Sequence, residues 1–237
     1  MPQKTVEKIY KRYKKHVRKL SLAYAHRLHR WEHRKEYAVI DRYLRKFKST
    51  GGLKNFYGGY KLWNLNQLLL RFNPKRILEF GSGSSTMVFC DFLRSNEGSL
   101  LSIDEEEKWA ANTRRLVHIE TTEGIEIINS KKVCLSDSVP REIKYDLQLT
   151  DKYDFVFIDG PSLSVNGVKW KDAVNSNIFE LNHNPSVIVV DGRRATARYI
   201  AQKYSDIYHA SLSDLFSDRP VQCNYNFFSF FIKKKNS

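Results

Sequence analysis

Apolar residues recur along most of the chain in short runs, and amphipathic stretches separate these runs. Runs of about four to eight apolar residues are typical of buried strands, whereas apolar spacings of three and four are typical of helices. The predicted strands cover residues 76–80, 100–103, 125–129, 154–158, 187–190, 207–211 and 226–233. The predicted helices cover residues 63–72, 85–94, 106–117, 168–181 and 195–204. Apolar strands that alternate with helices predict an α/β fold, with a parallel sheet covered on both faces.

The first 50 residues follow a different pattern, because segment 4–48 contains neither Gly nor Pro. Its apolar residues recur at helical spacing and form a stripe: Val6, Tyr10, Tyr13, Val17, Leu20, Tyr24, Leu28 and Trp31. Residues 1–50 also carry 16 Lys or Arg against four acids, so they hold +12 of the formal net charge of +14. We therefore divide the chain into a basic amphipathic helical arm, residues 1–50, and a domain, residues 51–237.

This arm needs a partner for its apolar stripe and its positive charge. The stripe could pack on the domain or on a second copy of the chain. It could instead lie on an anionic membrane surface, where residues 1–48 would bury aromatic side chains and hold lipid phosphates with Lys and Arg. Nucleic acid is a third alternative, and it is less favoured because phosphates offer apolar side chains no burial.

Length and composition limit the class of protein. The chain has 237 residues, of which 41% are hydrophobic and 28% charged, as expected for a globular protein with a buried core. No apolar run approaches the roughly 18 residues that predict a membrane span. Cys90, Cys134 and Cys223 show no C-x-x-C spacing, which disfavours a disulfide framework and indicates a reducing compartment. We therefore expect a cytoplasmic protein, which the arm could attach to the inner face of the membrane.

A glycine-containing loop follows the first predicted strand. Residues 76–86 run from that strand through Gly81-x-Gly83 directly into a predicted helix. Ligands of open α/β sheets bind at the carboxyl ends of the strands, where glycines allow close approach and a helix start offers N–H groups. Ser84 and Ser85 lie where the dinucleotide fingerprint continues towards its third glycine. This difference favours a nucleoside ligand that lacks a pyrophosphate.

Two acids lie near this loop. Asp104 ends the second predicted strand, 21 residues after Gly83, where an acid can accept hydrogen bonds from ribose hydroxyls. The alternative for Asp104 is an N-cap of the following helix. Glu79 lies two residues before Gly81, and its carboxylate suits a cationic or amino-bearing ligand. The alternative for Glu79 is an ion pair with a neighbouring Lys or Arg.

Four motifs in this order resemble the class I S-adenosylmethionine-dependent methyltransferases. They are LEFGSGSST (78–86), SIDEE (102–106), YDFVFIDG (153–160) and SVIVVDG (186–192), and the resemblance covers about residues 60–237. It implies a doubly wound, mainly parallel seven-stranded sheet with an antiparallel last strand. It also implies S-adenosylmethionine as cofactor. The cofactor-binding residues that it implies are Glu79, Gly81, Gly83, Ser84, Ser85, Asp104 and, in the loop after the third strand, Ser136.

Asp159 and Asp191 end the fourth and fifth predicted strands, where the resemblance places acceptor chemistry. Motifs for methylation of base amines or pyrimidine carbons are absent from the sequence, which leaves transfer to oxygen or to a simple amine. A hydroxyl acceptor needs a general base or a metal ion, and these two acids could supply either. Sugar and catechol O-methyltransferases of similar fold bind a divalent metal at these strand ends. Because Gly192 stands where a further ligand is usual, we predict no metal ligands and leave a metal requirement open.

Arg193 and Arg194 follow Asp191, and two guanidinium groups there could hold the carboxylate or phosphate of an acceptor. The alternative is an ordinary ion pair or a surface position at a helix start. The leading hypothesis is O-methylation of a sugar or polysaccharide-type acceptor, including acidic saccharides. The alternatives are an RNA-directed methyltransferase that uses the arm, and a catalytically inactive binding subunit.

Overall fold

The computed structural model describes residues 24, 26–49, 58–117, 123–135, 137, 140–211 and 228–234. Its helices are α1 Arg34–Ser49, α2 Gly58–Phe72, α3 Ser84–Arg94, α4 Glu107–Val117 and α5 Arg194–Lys203. Its strands are β1 Arg76–Phe80, β2 Ser99–Asp104, β3 Ile125–Asn129, β4 Lys132–Leu135, β5 Glu142–Tyr145, β6 Phe155–Ile158, β7 Ser164–Val165, β8 Val168–Lys169, β9 Val174–Asn175, β10 Val187–Asp191, β11 Tyr208–Ser211 and β12 Phe228–Lys233. No helix in these described ranges is long and apolar enough to span a membrane.

Seven of these strands form the main sheet, in the order β3-β2-β1-β6-β10-β12-β11. The strands β3, β2, β1, β6 and β10 pair in parallel, whereas β12 is antiparallel to β10 and to β11. The predicted doubly wound sheet with an antiparallel last strand is therefore confirmed. Parallel strands end at the same edge of the sheet, so the loops after β1, β2, β6 and β10 lie together.

Successive residues of β1 and β6 belong to two different apolar clusters, because side chains alternate across a strand. Ile77 and Phe155 pack with α1, α2, α3 and α4 on one face of the sheet. Leu78 and Val156 pack with α5 and β5 on the other face. Apolar side chains on both faces explain why the strands appear in the sequence as continuous apolar runs.

Helix α1 packs on the first of these clusters through three buried residues, Tyr37, Ile40 and Tyr43. Residues 26–32 are also helical and precede α1. Of the predicted apolar stripe, the described residues are Tyr24, Leu28 and Trp31, which are 65%, 43% and 68% exposed. The rest of the stripe and residues 50–57 lie outside the described residues, so the boundary near residue 50 stays a prediction.

The predicted helix at 168–181 is wrong. Strands β7 and β8 form a hairpin there, closed by Asn166 and Gly167 with φ angles of 49° and 77°. Asn-Gly is the usual sequence for such a two-residue turn, since both positions need a positive φ. Strand β9 then pairs in parallel with β5, which itself pairs with β4, in a second, three-stranded sheet.

Candidate active site

Gly81 brings the loop after β1 against the loop after β6. Its φ is +99°, and a Cβ added to it would lie 2.8 Å from the backbone nitrogen of Gly160 and 2.9 Å from the carbonyl carbon of Asp159. The Gly81 N–H donates to the carbonyl oxygen of Ile103 at 2.8 Å, which ties the same loop to β2. Only glycine fits this position, because both the backbone angle and the close approach exclude a side chain.

Gly83, the N-cap of α3, is in a different situation. Its φ of 168° is ordinary extended backbone, and a Cβ there would lie 3.6 Å from the ring of Phe47. Its N–H donates to Thr86 Oγ1 at 2.8 Å, and Ser84 follows as the half-buried first residue of α3. The protein itself would therefore accept a small side chain at position 83. The expected roles of Gly83 and Ser84 towards a cofactor stay predictions.

Glu79 is fully buried, and its hydrogen bonds connect β1 to the start of α3. Its carboxylate accepts hydrogen bonds from Ser85 Oγ at 2.5 Å, Thr86 Oγ1 at 2.6 Å and Ser102 Oγ at 2.6 Å. Burial raises the pKa of Glu79 to about 7, although the three hydroxyl donors oppose this increase. Glu79 and Ser85 thus interact with each other, and their contact with a cofactor stays a prediction.

Asp104 joins the glycine loop to the start of α4. Its Oδ2 accepts from the backbone N–H of Ser82 at 3.0 Å and from Ser82 Oγ at 2.9 Å, and its Oδ1 accepts from the N–H of Glu106 at 3.0 Å. Burial raises the pKa of Asp104 above its ordinary value. The hydrogen bond from the N–H of Glu106 is the kind that an N-cap residue makes at a helix start. The contacts with Ser82 also place this carboxylate at the glycine loop.

Asp191 ends β10 and is paired with Lys61 of α2. The ammonium of Lys61 lies 2.5 Å from both carboxylate oxygens, and the two side chains are 19% and 10% exposed. The pKa of Asp191 is raised by burial, and the charge of Lys61 partly offsets that increase. A buried carboxylate and a partly buried ammonium therefore form an ion pair at the end of this strand.

Asp159 directly follows the neighbouring strand, β6, and is exposed to solvent. Protein groups nevertheless crowd around it, and this desolvation raises its pKa. The negative charge of Asp191 raises the pKa of Asp159 further, whereas Arg193 and Lys61 lower it. An accessible carboxylate with a raised pKa is what a general base requires.

The two arginines after β10 have different positions. Arg193 donates from Nη2 to the backbone oxygen of Asp159, and its Nε is buried without a hydrogen-bond partner in the part of the chain that the structure describes. Burial lowers the pKa of Arg193, and the carboxylate of Asp159 opposes this change. Arg194 is exposed as the first residue of α5. The structure thus brings Arg193 to the acids and leaves Arg194 at the surface.

The small sheet supports the loop that carries Asp159. Asn175 of β9 donates from Nδ2 to the carbonyl oxygen of Gly160 at 2.7 Å. A Cβ at Gly160 would lie 2.2 Å from the hydroxyl of Tyr145, the last residue of β5. Tyr145 is 1% exposed, so on this side the loop that carries Asp159 packs against the buried interior of the protein.

Glu105 and Lys132 hold the next part of the same loop. Glu105 accepts from the backbone N–H of Ser162 at 2.6 Å and pairs with Lys132 Nζ at 3.3 Å. Lys132 also donates to the carbonyl oxygen of Ser164 at 2.8 Å. These residues connect the end of β2, β4 and the loop after β6 into one edge of the site.

Sequence analysis missed Lys61, Tyr145 and Glu105. Only Glu105 carried a signal, since it stands in the acidic run that follows β2. Ser136, the predicted residue of the loop after β3, lies outside the described residues. Within the described ranges, no three His, Cys, Asp or Glu side chains are grouped to hold a metal ion.

Comparison with known proteins finds one matching family model. The family model of a methyltransferase domain matches residues 78–191, which run from β1 to the end of β10. This segment contains Glu79, the glycine loop, Asp104, Asp159 and Asp191. No curated protein sequence matches the chain.

Solved structures share the fold at low sequence identity. A protein from Klebsiella pneumoniae has 17% identity and a TM-score of 0.52, over 83% of this chain and 90% of its own. An O-methyltransferase from Bacillus cereus, in complex with S-adenosylhomocysteine, has 14% identity and a TM-score of 0.51, over 83% and 91%. TomG, an O-methyltransferase from Streptomyces achromogenes in complex with S-adenosylmethionine, has 13% identity and a TM-score of 0.50, over 83% and 89%.

Proposed function

We propose that this chain is a class I S-adenosylmethionine-dependent methyltransferase and that it methylates a hydroxyl group of a sugar or polysaccharide-type acceptor; the matching methyltransferase-domain model and the shared fold support this. The observation that carries this proposal is the accessible carboxylate of Asp159 beside the glycine loop. The backbone of Asp159 touches Gly81, so a base and the predicted cofactor loop share one edge of the sheet.

The described residues fit the cofactor. The N-cap of helix α3 is Gly83, which has no side chain to accept from the first N–H groups of the helix, so a ligand could accept from these donors. Asp104 supplies a carboxylate beside this loop for ribose hydroxyls. When bound there, S-adenosylmethionine supplies the methyl group, which moves from its sulfonium sulfur to the acceptor oxygen and leaves a thioether.

Asp159 accepts the hydroxyl proton in this proposal. A hydroxyl is a weak nucleophile while it keeps its proton, and a base within hydrogen-bond reach removes that proton as the new bond forms. The raised pKa of Asp159 makes it a stronger base than an ordinary aspartate. The two O-methyltransferases of similar fold support oxygen as the receiving atom.

Arg193 supports an acidic saccharide as the acceptor. Its guanidinium lies beside Asp159, and its buried Nε has no hydrogen-bond partner in the described ranges. A uronate carboxylate bound there would receive charge-assisted hydrogen bonds and would bring a sugar hydroxyl near the base. Exposed Arg194 would then affect acceptor binding much less.

Methyl transfer from labelled cofactor to neutral and acidic oligosaccharides tests the function. Asp159→Asn should lower turnover at least about 100-fold with unchanged cofactor affinity, because the amide keeps the shape but loses the base. Asp151→Asn, which changes an exposed residue before β6, is the matched control. Turnover should rise with pH through the raised pKa of Asp159, since the base acts when ionised. Full activity of Asp159→Asn would refute this assignment, and cofactor binding without turnover on any acceptor would favour the inactive-subunit alternative.

We also propose that the arm holds the enzyme on an anionic membrane surface. Tyr24 and Trp31 are exposed aromatic side chains in its described part, and they lie among Lys and Arg residues. Such side chains gain by burial at a lipid interface. Binding to vesicles that contain anionic lipid, compared with RNA binding at the same ionic strength, tests this proposal. RNA binding without vesicle binding would favour the RNA-directed methyltransferase.

A further inference from the structure

Lys61 lies at the end of β10, one of the strand ends where sugar and catechol O-methyltransferases of similar fold bind a divalent metal ion. Its ammonium lies 2.5 Å from both oxygens of Asp191, so it already uses the carboxylate that a metal would need. The next residue, Gly192, has no side chain to offer as a ligand. The ammonium of Lys61 therefore supplies the positive charge beside Asp191 that a metal ion would otherwise supply.

Two cations already oppose the carboxylates around this pair. The groups that interact with Asp159 are Asp191 of β10, Arg193 after β10, Lys61 of α2 and Asp104 of β2. Around the acceptor position, two carboxylates, Asp159 and Asp191, face two cations, Lys61 and Arg193. A divalent ion would have to displace an ammonium or add an excess of positive charge. These residues do not fit a divalent metal.

The fold holds Lys61 in this position. It stands on α2 directly before Leu62 and Trp63, which are 5% and 6% exposed in the core. Its ammonium also lies 5.8 Å from the centre of the Phe228 ring, within the range of a cation–π contact. The ammonium is therefore fixed by the packing of α2 against the end of the sheet.

We propose that Lys61 is a positioning residue that takes the place of a divalent metal ion, so that methyl transfer by this enzyme needs no added metal. The proposal rests on the proposed function, and Lys61 acts through the two carboxylates. It keeps Asp191 ionised by direct pairing and shields Asp159 from the charge of Asp191. Asp159 can then lose its proton at a lower pH than it would beside an unpaired carboxylate.

A metal-binding measurement, which needs no acceptor, tests whether Lys61 takes the place of a metal ion. Electron paramagnetic resonance of Mn²⁺ should show no binding to the full wild-type chain at about 1 mM metal. Lys61→Gln should bind Mn²⁺ at least about tenfold more tightly than wild type, because one cation is lost and both carboxylates remain. Lys75→Gln, an equal charge change on an exposed residue before β1, should behave as wild type. Circular dichroism verifies that each variant is folded, and Lys61→Arg, which keeps the charge, should again exclude Mn²⁺.

The pH profile separates this role from a purely structural one. Lys61→Gln should move the acidic limb of turnover to higher pH, and Lys61→Arg should restore it, because a nearby cation lowers the pKa of Asp159. Two outcomes would overturn the proposal. The first is that wild type binds Mn²⁺ and Asp191→Asn does not. The second is that Lys61→Gln binds Mn²⁺ no more tightly than wild type does. If no acceptor is methylated, the proposed function fails while the metal measurement still decides the role of Lys61.

Discussion

Replacing Glu79 by Gln should remove a large part of the pH dependence of stability. The pKa of this fully buried carboxyl is raised from 4.5 to about 7 in the folded chain. Between these values the folded state binds a proton that the unfolded state has released. The free energy of unfolding therefore falls as pH rises through this window, by about 1.4 kcal/mol per pH unit and about 3 kcal/mol over the whole interval. Glutamine has no proton to lose, so this contribution disappears from the variant.

Urea denaturation of both proteins at pH 5 and at pH 8 measures this effect. The variant loses some hydrogen bonding to Ser85, Thr86 and Ser102, but that loss applies at both pH values and cancels in the comparison. The stability of Glu79→Gln relative to wild type should thus be about 3 kcal/mol more favourable at pH 8 than at pH 5. Glu126→Gln, on an exposed position of β3, is the matched control. An equal difference at both pH values would show that Glu79 titrates as it does in the unfolded chain, and the reasoning from burial would be refuted.

Further predictions concern the glycine loop and the arm. Gly81→Ala should lower the free energy of unfolding by about 2 kcal/mol or more in urea titrations, because its Cβ would lie 2.8 Å from a backbone nitrogen at a φ of +99°. Gly83→Ala should keep wild-type stability while weakening cofactor binding in calorimetry, and unchanged affinity would exclude a role in ligand approach. Deletion of residues 1–23 removes eight Lys or Arg and one acid, and it should weaken binding to anionic vesicles at least about tenfold in co-sedimentation. A lower melting temperature of that deletion would instead indicate that the stripe packs on the domain.

The N-terminal segment shows that helical spacing predicts a helix but not which of its residues are buried. Spacing alone predicted a helix through residues 4–48, and the described residues 26–32 and α1 are helical. The pattern did not indicate which apolar residues are buried, because Tyr37, Ile40 and Tyr43 enter the core while Trp31 is exposed. Periodicity predicts that a face exists, but the neighbouring elements decide which part of that face is covered.

Local sequence determined the main sheet and the position of its ligand edge. Buried parallel strands need continuous apolar runs, so β1 and β3 could be predicted with the bounds that the structure has. The tight turn at Gly81 and the acids Asp104, Asp159 and Asp191 follow directly on such runs, so their common edge was predictable as well. Each of these features depends on residues that are close together in the chain.

Only the tertiary structure decided which groups meet at that edge. Lys61 and Asp191 are 130 residues apart, and nothing around Lys61 distinguishes it from the many other lysines of this basic chain. The strands β7, β8 and β9 have two residues each, too few to show a period. Hydrogen bonds between distant residues, such as the 2.7 Å bond from the backbone N–H of Tyr145 to Asn177 Oδ1, hold the second sheet in place. A pattern along the chain records whether a residue is buried, whereas the partner of a buried charge is set by the packing of the whole fold.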